Sequence, residues 1–159
     1  MHYRIITVEG CDGTGKTTFA ERLVAEYGFT VIHSSRTPEH IDLVDRYQQI
    51  IMRAGRLVLD RSFVSELVYG PLHRGRSRLT WCEAVRLARF LADHNGVFVY
   101  LTGSAAAIRA RLLARDGPNS PDLGAVERLL AGYQRIFDAF APHVPVIRID
   151  IAQAGGSAD

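Results

Sequence analysis

The sequence predicts an α/β fold: a five-stranded parallel sheet with helices on both faces, in one domain over residues 1–159. Three observations predict it. Short apolar runs of strand length alternate with helical-period segments, most of ten or more residues, which is the pattern of βαβ units. A glycine-rich turn joins the first strand to the first helix. The length, 159 residues, suits a single core that needs no disulfide or metal staple, and no internal repeat divides it.

Residues 3–9 are β-branched and apolar and form the first predicted strand. Over 16–27, Phe19, Ala20, Leu23 and Val24 recur at helical spacing, and Gly28 follows where a C-cap belongs. Residues 30–33 read as a second strand, 40–54 as a helix stopped by Gly55, and 57–60 as a third strand ending in a carboxylate. Helices over 62–69 and 80–94 flank a polar, arginine-rich loop at 70–77. A strand at 97–101, a helix at 105–115, a loop with two prolines at 117–122 and a helix at 123–140 follow. Pro142 then precedes the last strand, 144–149. In such a sheet ligands lie at the carboxyl ends of the strands, where the glycine turn, Arg36, Asp60 and the region of Asp150 all fall.

A formal net charge of +2 is too mild to make nucleic acid the default partner. Lys16 is the only lysine, so arginines carry the rest of the positive charge. Their planar fork suits bidentate grips on phosphate or carboxylate. Cys11 and Cys82 make neither a disulfide framework nor a metal spacing, and the six histidines are scattered. No stretch approaches the roughly 18 apolar residues of a membrane span, so no membrane partner and a reducing, cytoplasmic setting are expected.

The turn itself, Gly10-x-x-x-x-Gly15-Lys16-Thr17, satisfies the P-loop pattern between a strand and a helix. Gly10, Gly13 and Gly15 let consecutive amides point inward as a nest for anionic oxygens, together with Asp12 and Thr14 of the same turn. The nest opens on the positive end of the following helix. Lys16 brings a mobile charge to the β- and γ-phosphates, Thr17 offers a hydroxyl to Mg²⁺, and Thr18 reaches the α-phosphate. The implied cofactors are ATP and Mg²⁺.

Who receives the phosphoryl group depends on the rest of the chain. Asp60 is placed to hold Mg²⁺ or to align the acceptor, and Arg61 beside it to fork onto a phosphate. Arg36 follows the second strand in the same way. Arg111 and Arg115 share a helical face, Arg109 points elsewhere, and all three lead into the proline loop. They are expected to belong to a short lid, residues 109–122, that excludes water from the reaction.

These residues carry a resemblance. Over residues 5–152 the chain resembles the thymidylate kinase family of P-loop nucleoside monophosphate kinases. EGCDGTGKTT is similar to that family's phosphate loop, down to Asp12, which the resemblance sets near the acceptor sugar or its phosphate. AGRLVLDR resembles the approach to the family's Asp-Arg pair, and Ser65 and Tyr69 fall at the spacing of its Ser and Tyr. Arg36 with Pro38 resembles its Arg-x-Pro, an arginine that grips the acceptor phosphate, with Thr37 in place of Glu. Gly13 stands where some members carry a catalytic arginine, so the resemblance assigns that role to Arg109, Arg111 or Arg115. It implies a three-layer P-loop kinase fold, a thymidylate-like or modified nucleoside monophosphate as substrate, and a homodimer as a possible assembly. The chain is shorter than typical members between Arg36 and Gly55, which leaves the base open.

Three other readings stay in view. A deoxynucleoside kinase acting on the 5′-hydroxyl is one, since Asp60-Arg61-Ser62 also resembles that family's Glu-Arg-Ser, but it needs a carboxylate base after the second strand, where Arg36 stands with Glu39 further on. A metabolite or antibiotic kinase could use the same loop and lid. A nucleic-acid-binding P-loop module could use the arginines of HRGRSR, although no aromatic residue interleaves them. A GTPase switch is poorly supported, because its guanine-reading Asn-Lys-x-Asp cannot exist in a chain whose only lysine is Lys16.

Overall fold

The computed structural model describes residues 2–34 and 36–152. Strands β1 (Ile5–Glu9), β2 (Thr30–His33), β3 (Leu57–Asp60), β4 (Gly96–Thr102) and β5 (Val146–Asp150) form one sheet in the order β2-β3-β1-β4-β5, every pair parallel. β1 and β3 are central and buried along their whole length, which is why they read as unbroken apolar runs instead of alternating. The step from β1 to β2 runs one way across the sheet and every later step the other way. Right-handed crossovers therefore put α1 (Lys16–Tyr27) on one face, and α2 (Leu43–Ile51), α3 (Phe63–Arg74), α4 (Trp81–Asp93) and α6 (Leu123–Phe140) on the opposite one. α5 (Ala105–Asp116) packs along α6.

The many-helix face is cemented by rings. Phe63 meets Tyr47 and Phe98 edge-on, at 5.5 and 5.9 Å, and Tyr100 stacks on Phe137 at 4.8 Å. Each such contact adds about 1 kcal/mol to the burial of large apolar area. The result anchors α2, α3 and α6 to β4, and so fixes where their loops emerge at the carboxyl edge.

Where element boundaries differ from the sequence reading, local hydrogen bonding explains the shift. β1 starts at Ile5 because Arg4 is turned to the sheet's other end, its guanidinium donating to the carbonyls of Ile51, Arg53 and His94. α2 starts at Leu43 because Asp42 caps it, accepting from the Asp45 N–H at 2.9 Å. α3 continues through Gly70-Pro71, a pair that reads as a breaker, and ends only at Gly75, whose N–H donates to the Pro71 carbonyl. β5 starts at Val146 because the N–H groups of His143 and Val144 close the end of α6 on Phe140. Within the predicted loop at 117–122 lies a short 3₁₀ turn, Gly117–Asn119.

Candidate active site

The chain leaves β1 at Glu9 and enters α1 through six residues that fold tightly against β4 and α5. Gly10 has φ 146°, and a Cβ there would run into the Leu101 carbonyl oxygen. Gly13 lies under α5, where a Cβ would come within 3.0 Å of Leu112. Gly15, left-handed at φ 85°, precedes α1 with no side-chain cap, which leaves the first amides of the helix for an anion. The Thr14 hydroxyl ties the turn together by donating to the Cys11 carbonyl at 2.8 Å.

Lys16 is almost wholly buried beneath this turn. Its Nζ donates to the Cys11 carbonyl at 2.8 Å and lies 3.6 Å from Asp12 Oδ1. Burial, with Arg61 nearby, holds its pKa below the ordinary lysine value, while Asp12 and Glu9 pull it back up. Burial also pushes the Cys11 thiol up to about 11, so it stays protonated and is no nucleophile at neutral pH.

A cavity of about 520 Å³ opens above the turn. Asp12, Gly13, Gly15, Lys16, Thr17 and Thr18 form its floor, Asp60 and Arg61 one wall, and Arg111 and Arg115, one helical turn apart on α5, another. Arg115 also pairs with Asp116 through two 2.7 Å bonds. The Thr17 hydroxyl donates to Asp60 Oδ2 at 3.0 Å, and His33 Nδ1 lies 3.4 Å from the same oxygen. Among the described residues no group of three or more His, Cys, Asp or Glu side chains forms a protein-only metal cage. The Thr17 and Asp60 oxygens are instead the sparse, hard donor set that suits Mg²⁺, which takes most of its ligands from water and phosphate.

A second cavity, about 440 Å³, lies alongside, and among the described residues only Ser34 and Arg61 line both. Arg61 is held in a left-handed conformation at φ 73°, its N–H donating to the Val8 carbonyl at 3.1 Å. Its guanidinium pairs with Asp12 and stands over the Tyr69 ring, 5.6 Å from the centroid. Glu9 props up this turn from below. Fully buried, it accepts from the Ser62 N–H and hydroxyl, each at 2.6 Å, and from the Ser65 hydroxyl at 3.1 Å. Burial pushes the Glu9 carboxyl up to about 7, against the pull of the Ser62 bonds and the Arg61 charge. Arg36 is exposed on the far wall, and Tyr69, stacked on His73 at 5.7 Å, is on the near one.

The structure thus gathers most of the residues singled out from sequence around these two cavities. Gly10 and Thr14 shape the turn from behind, and Arg109 lines neither cavity. Sequence reasoning passed over Glu9, His33, Ser34 and Glu66. Only Glu9 carried a signal, a carboxylate closing an otherwise apolar strand. The others converge through tertiary packing, as when the Tyr47 hydroxyl of α2 meets Ser34 Oγ at 2.6 Å. Among the described residues, no helix is long and apolar enough to cross a membrane.

No protein-family model and no curated protein matches the chain. Among solved structures it is similar to the YorR protein from Bacillus subtilis, described in complex with phosphorylated GDP, at 21% identity and a TM-score of 0.83, over 94% of this chain and 86% of that one. It is similar to a deoxyadenosine kinase from M. mycoides with bound dCTP at 13% identity and a TM-score of 0.61, over 93% and 90% of the two chains. It is also similar to a gluconokinase from Sinorhizobium meliloti at 19% identity and a TM-score of 0.60, over 96% and 85%. What the chain shares with them at such identities is the fold, the three-layer architecture of P-loop kinases.

Proposed function

We propose that the protein is a phosphotransferase that moves the γ-phosphoryl group of ATP to the phosphate of a nucleoside monophosphate, thymidylate-like or modified. The observation that carries this reading is Arg61, among the described residues the one charged side chain common to both cavities, with the glycine turn and Lys16 on one side and Arg36 on the other. Two polyanions that must be brought together need a cation between them. The fold neighbours described with phosphorylated GDP and with dCTP support a nucleotide as ligand.

In this reading the amides of the turn and Lys16 hold the triphosphate, and Arg36 and Arg61 neutralise and orient the acceptor phosphate. Asp12 holds Arg61 in place, and Ser65 and Tyr69 line the acceptor's side of the site. Thr17 and Asp60 are the residues that would hold Mg²⁺, which when bound neutralises charge on the phosphate oxygens. An oxygen of the acceptor phosphate attacks the γ-phosphorus, and the bond to the β–γ bridging oxygen breaks to leave ADP. With a second pKa of about 6 the acceptor is already anionic at neutral pH, so no protein base has to remove a proton. Segment 109–122 is the lid, and it brings Arg111 and Arg115, and Arg109 on closure, over the transferring group and excludes water.

A second reading has one observation in its favour: the carboxylates Glu39 and Glu66 also line the second cavity, where a sugar hydroxyl would need a base. A coupled ADP-release assay with ATP and Mg²⁺ against matched nucleosides and 5′-monophosphates separates the two. Turnover of monophosphates supports the first reading, and turnover of nucleosides alone replaces it with the second.

A further inference from the structure

The arginine-rich segment after α3, which from sequence reads as a polar loop, is built into the molecule. Glu66 of α3 pairs with the guanidinium of Arg74 and accepts the Arg78 N–H at 2.8 Å. From there the Arg78 side chain crosses to the segment after β2. Its Nη1 donates to the Thr37 carbonyl at 2.8 Å, and its Nη2 is shared among the carbonyls of Pro38, Glu39 and Ile41, at 3.0, 3.3 and 2.7 Å. The backbone there also holds a turn bond, the Ile41 N–H to the Pro38 carbonyl. Gly70 belongs to the same arrangement. It is buried, and a Cβ on it would come within 2.7 Å of Glu66 Oε1 and 3.0 Å of the Arg76 carbonyl, so the loop folds back on α3 only over a glycine.

This geometry has a consequence for Arg36, which immediately precedes the clasped carbonyls and lines the second cavity. An exposed arginine grips a phosphate well only when its backbone is fixed beforehand. A planar fork with several donors can hold a cluster of carbonyls at once, whereas a lysine ammonium cannot span them. We propose that Arg78 is a positioning residue: anchored by Glu66 and Arg74, it clasps residues 37–41 and so holds Arg36 ready for the acceptor. Arg78 lines the second cavity as well, but its guanidinium is committed to backbone carbonyls, so it is assigned an effect on acceptor affinity through Arg36 and none on the transfer step. The kinetic part of this inference rests on the proposed function, while the clasp itself does not.

Arg78→Lys keeps the charge and removes the fork. It is expected to raise the acceptor KM about tenfold or more, leave the ATP KM and kcat within about twofold, and speed amide exchange in the 37–43 peptide about tenfold. Arg76→Ala removes a charge from the same loop without touching those carbonyls and is expected to change none of these. Glu66→Gln, which weakens the anchor alone, should move the acceptor KM and the exchange rate in the same direction by a smaller factor, and it serves if the first variant does not fold. Unchanged exchange over 37–43 in a folded variant would overturn the clasp. Faster exchange with an unaltered acceptor KM, or an equal rise in both KM values, would overturn its positioning role. If the wild-type protein turns over no nucleotide, the functional reading fails separately, and the exchange measurement alone decides the clasp.

Discussion

The cavity over the glycine turn and the cavity beside it touch at Arg61 but are made of different material. The first has for its floor one contiguous stretch, a tight turn with three glycines at positive φ that leads into an uncapped helix start and one buried lysine. The second is mostly side chains, brought from the end of β2, from α2, from α3 and from the segment after it. Amide dipoles in a rigid turn cannot rearrange around a missing partner, whereas a wall of arginines and hydroxyls offers neighbours that can substitute. The comparison teaches that damage should be close to all-or-none at the turn and its lysine and graded at the side chains around them.

The largest effect should follow Lys16→Ala, which removes the chain's only lysine from beneath the phosphate turn. Transfer measured by ADP release should fall about 1,000-fold or more, and a loss below tenfold would break the contrast. Next is Glu9→Gln, at the joint between the two regions. The Glu9 pKa is higher in the folded protein than in the unfolded chain, so its stabilising contribution is complete below 4.5 and is lost as pH rises to about 7. That rise corresponds to about 3 kcal/mol. Denaturant titrations at pH 5 and pH 8 should show the wild type losing stability relative to Glu9→Gln by that order, and parallel behaviour would remove Glu9 from the joint.

Arg61→Ala should lower kcat/KM for the acceptor about 100-fold while changing the ATP KM less than about threefold. An equal effect on both substrates would merge the two cavities into one functional unit. The smallest effect should come from Thr17→Ala, which takes one neutral oxygen from the proposed Mg²⁺ position. The Mg²⁺ concentration for half-maximal activity should rise about tenfold, with activity recovered at high Mg²⁺.

The same contrast explains what could be read from the sequence. α1 was legible in full because local residues bound it, Lys16 after the left-handed Gly15 and Gly28 at its C-cap. β3 and α6 were legible for the same reason, as a buried apolar run and a long amphipathic period. The end of α3 was not, because Gly70-Pro71 breaks a helix on local grounds, and the contacts that extend it to Arg74 come from Glu66 and the loop that folds back on it. The phosphate turn is a contiguous motif, so its residues could be named together. Ser34, Tyr47 and Glu66 sit in unrelated segments, and nothing short of the packed sheet brings them to one wall. His33 reads as a scattered histidine until the pairing of β2 with β3 sets it opposite Asp60.

The central claim is that a cationic wall shared by two cavities draws a second anion into line with the triphosphate. It is tested most directly by the ratio of kcat/KM for a nucleoside 5′-monophosphate to that for its parent nucleoside, measured with ATP and Mg²⁺ in the wild type and in the Arg36→Ala/Arg61→Ala double variant. A ratio of about 100 or more is expected in the wild type, falling to within a few-fold of unity when both arginines are gone. A wild type that uses the uncharged nucleoside as well as its monophosphate, or a ratio that survives the loss of both arginines, would contradict it.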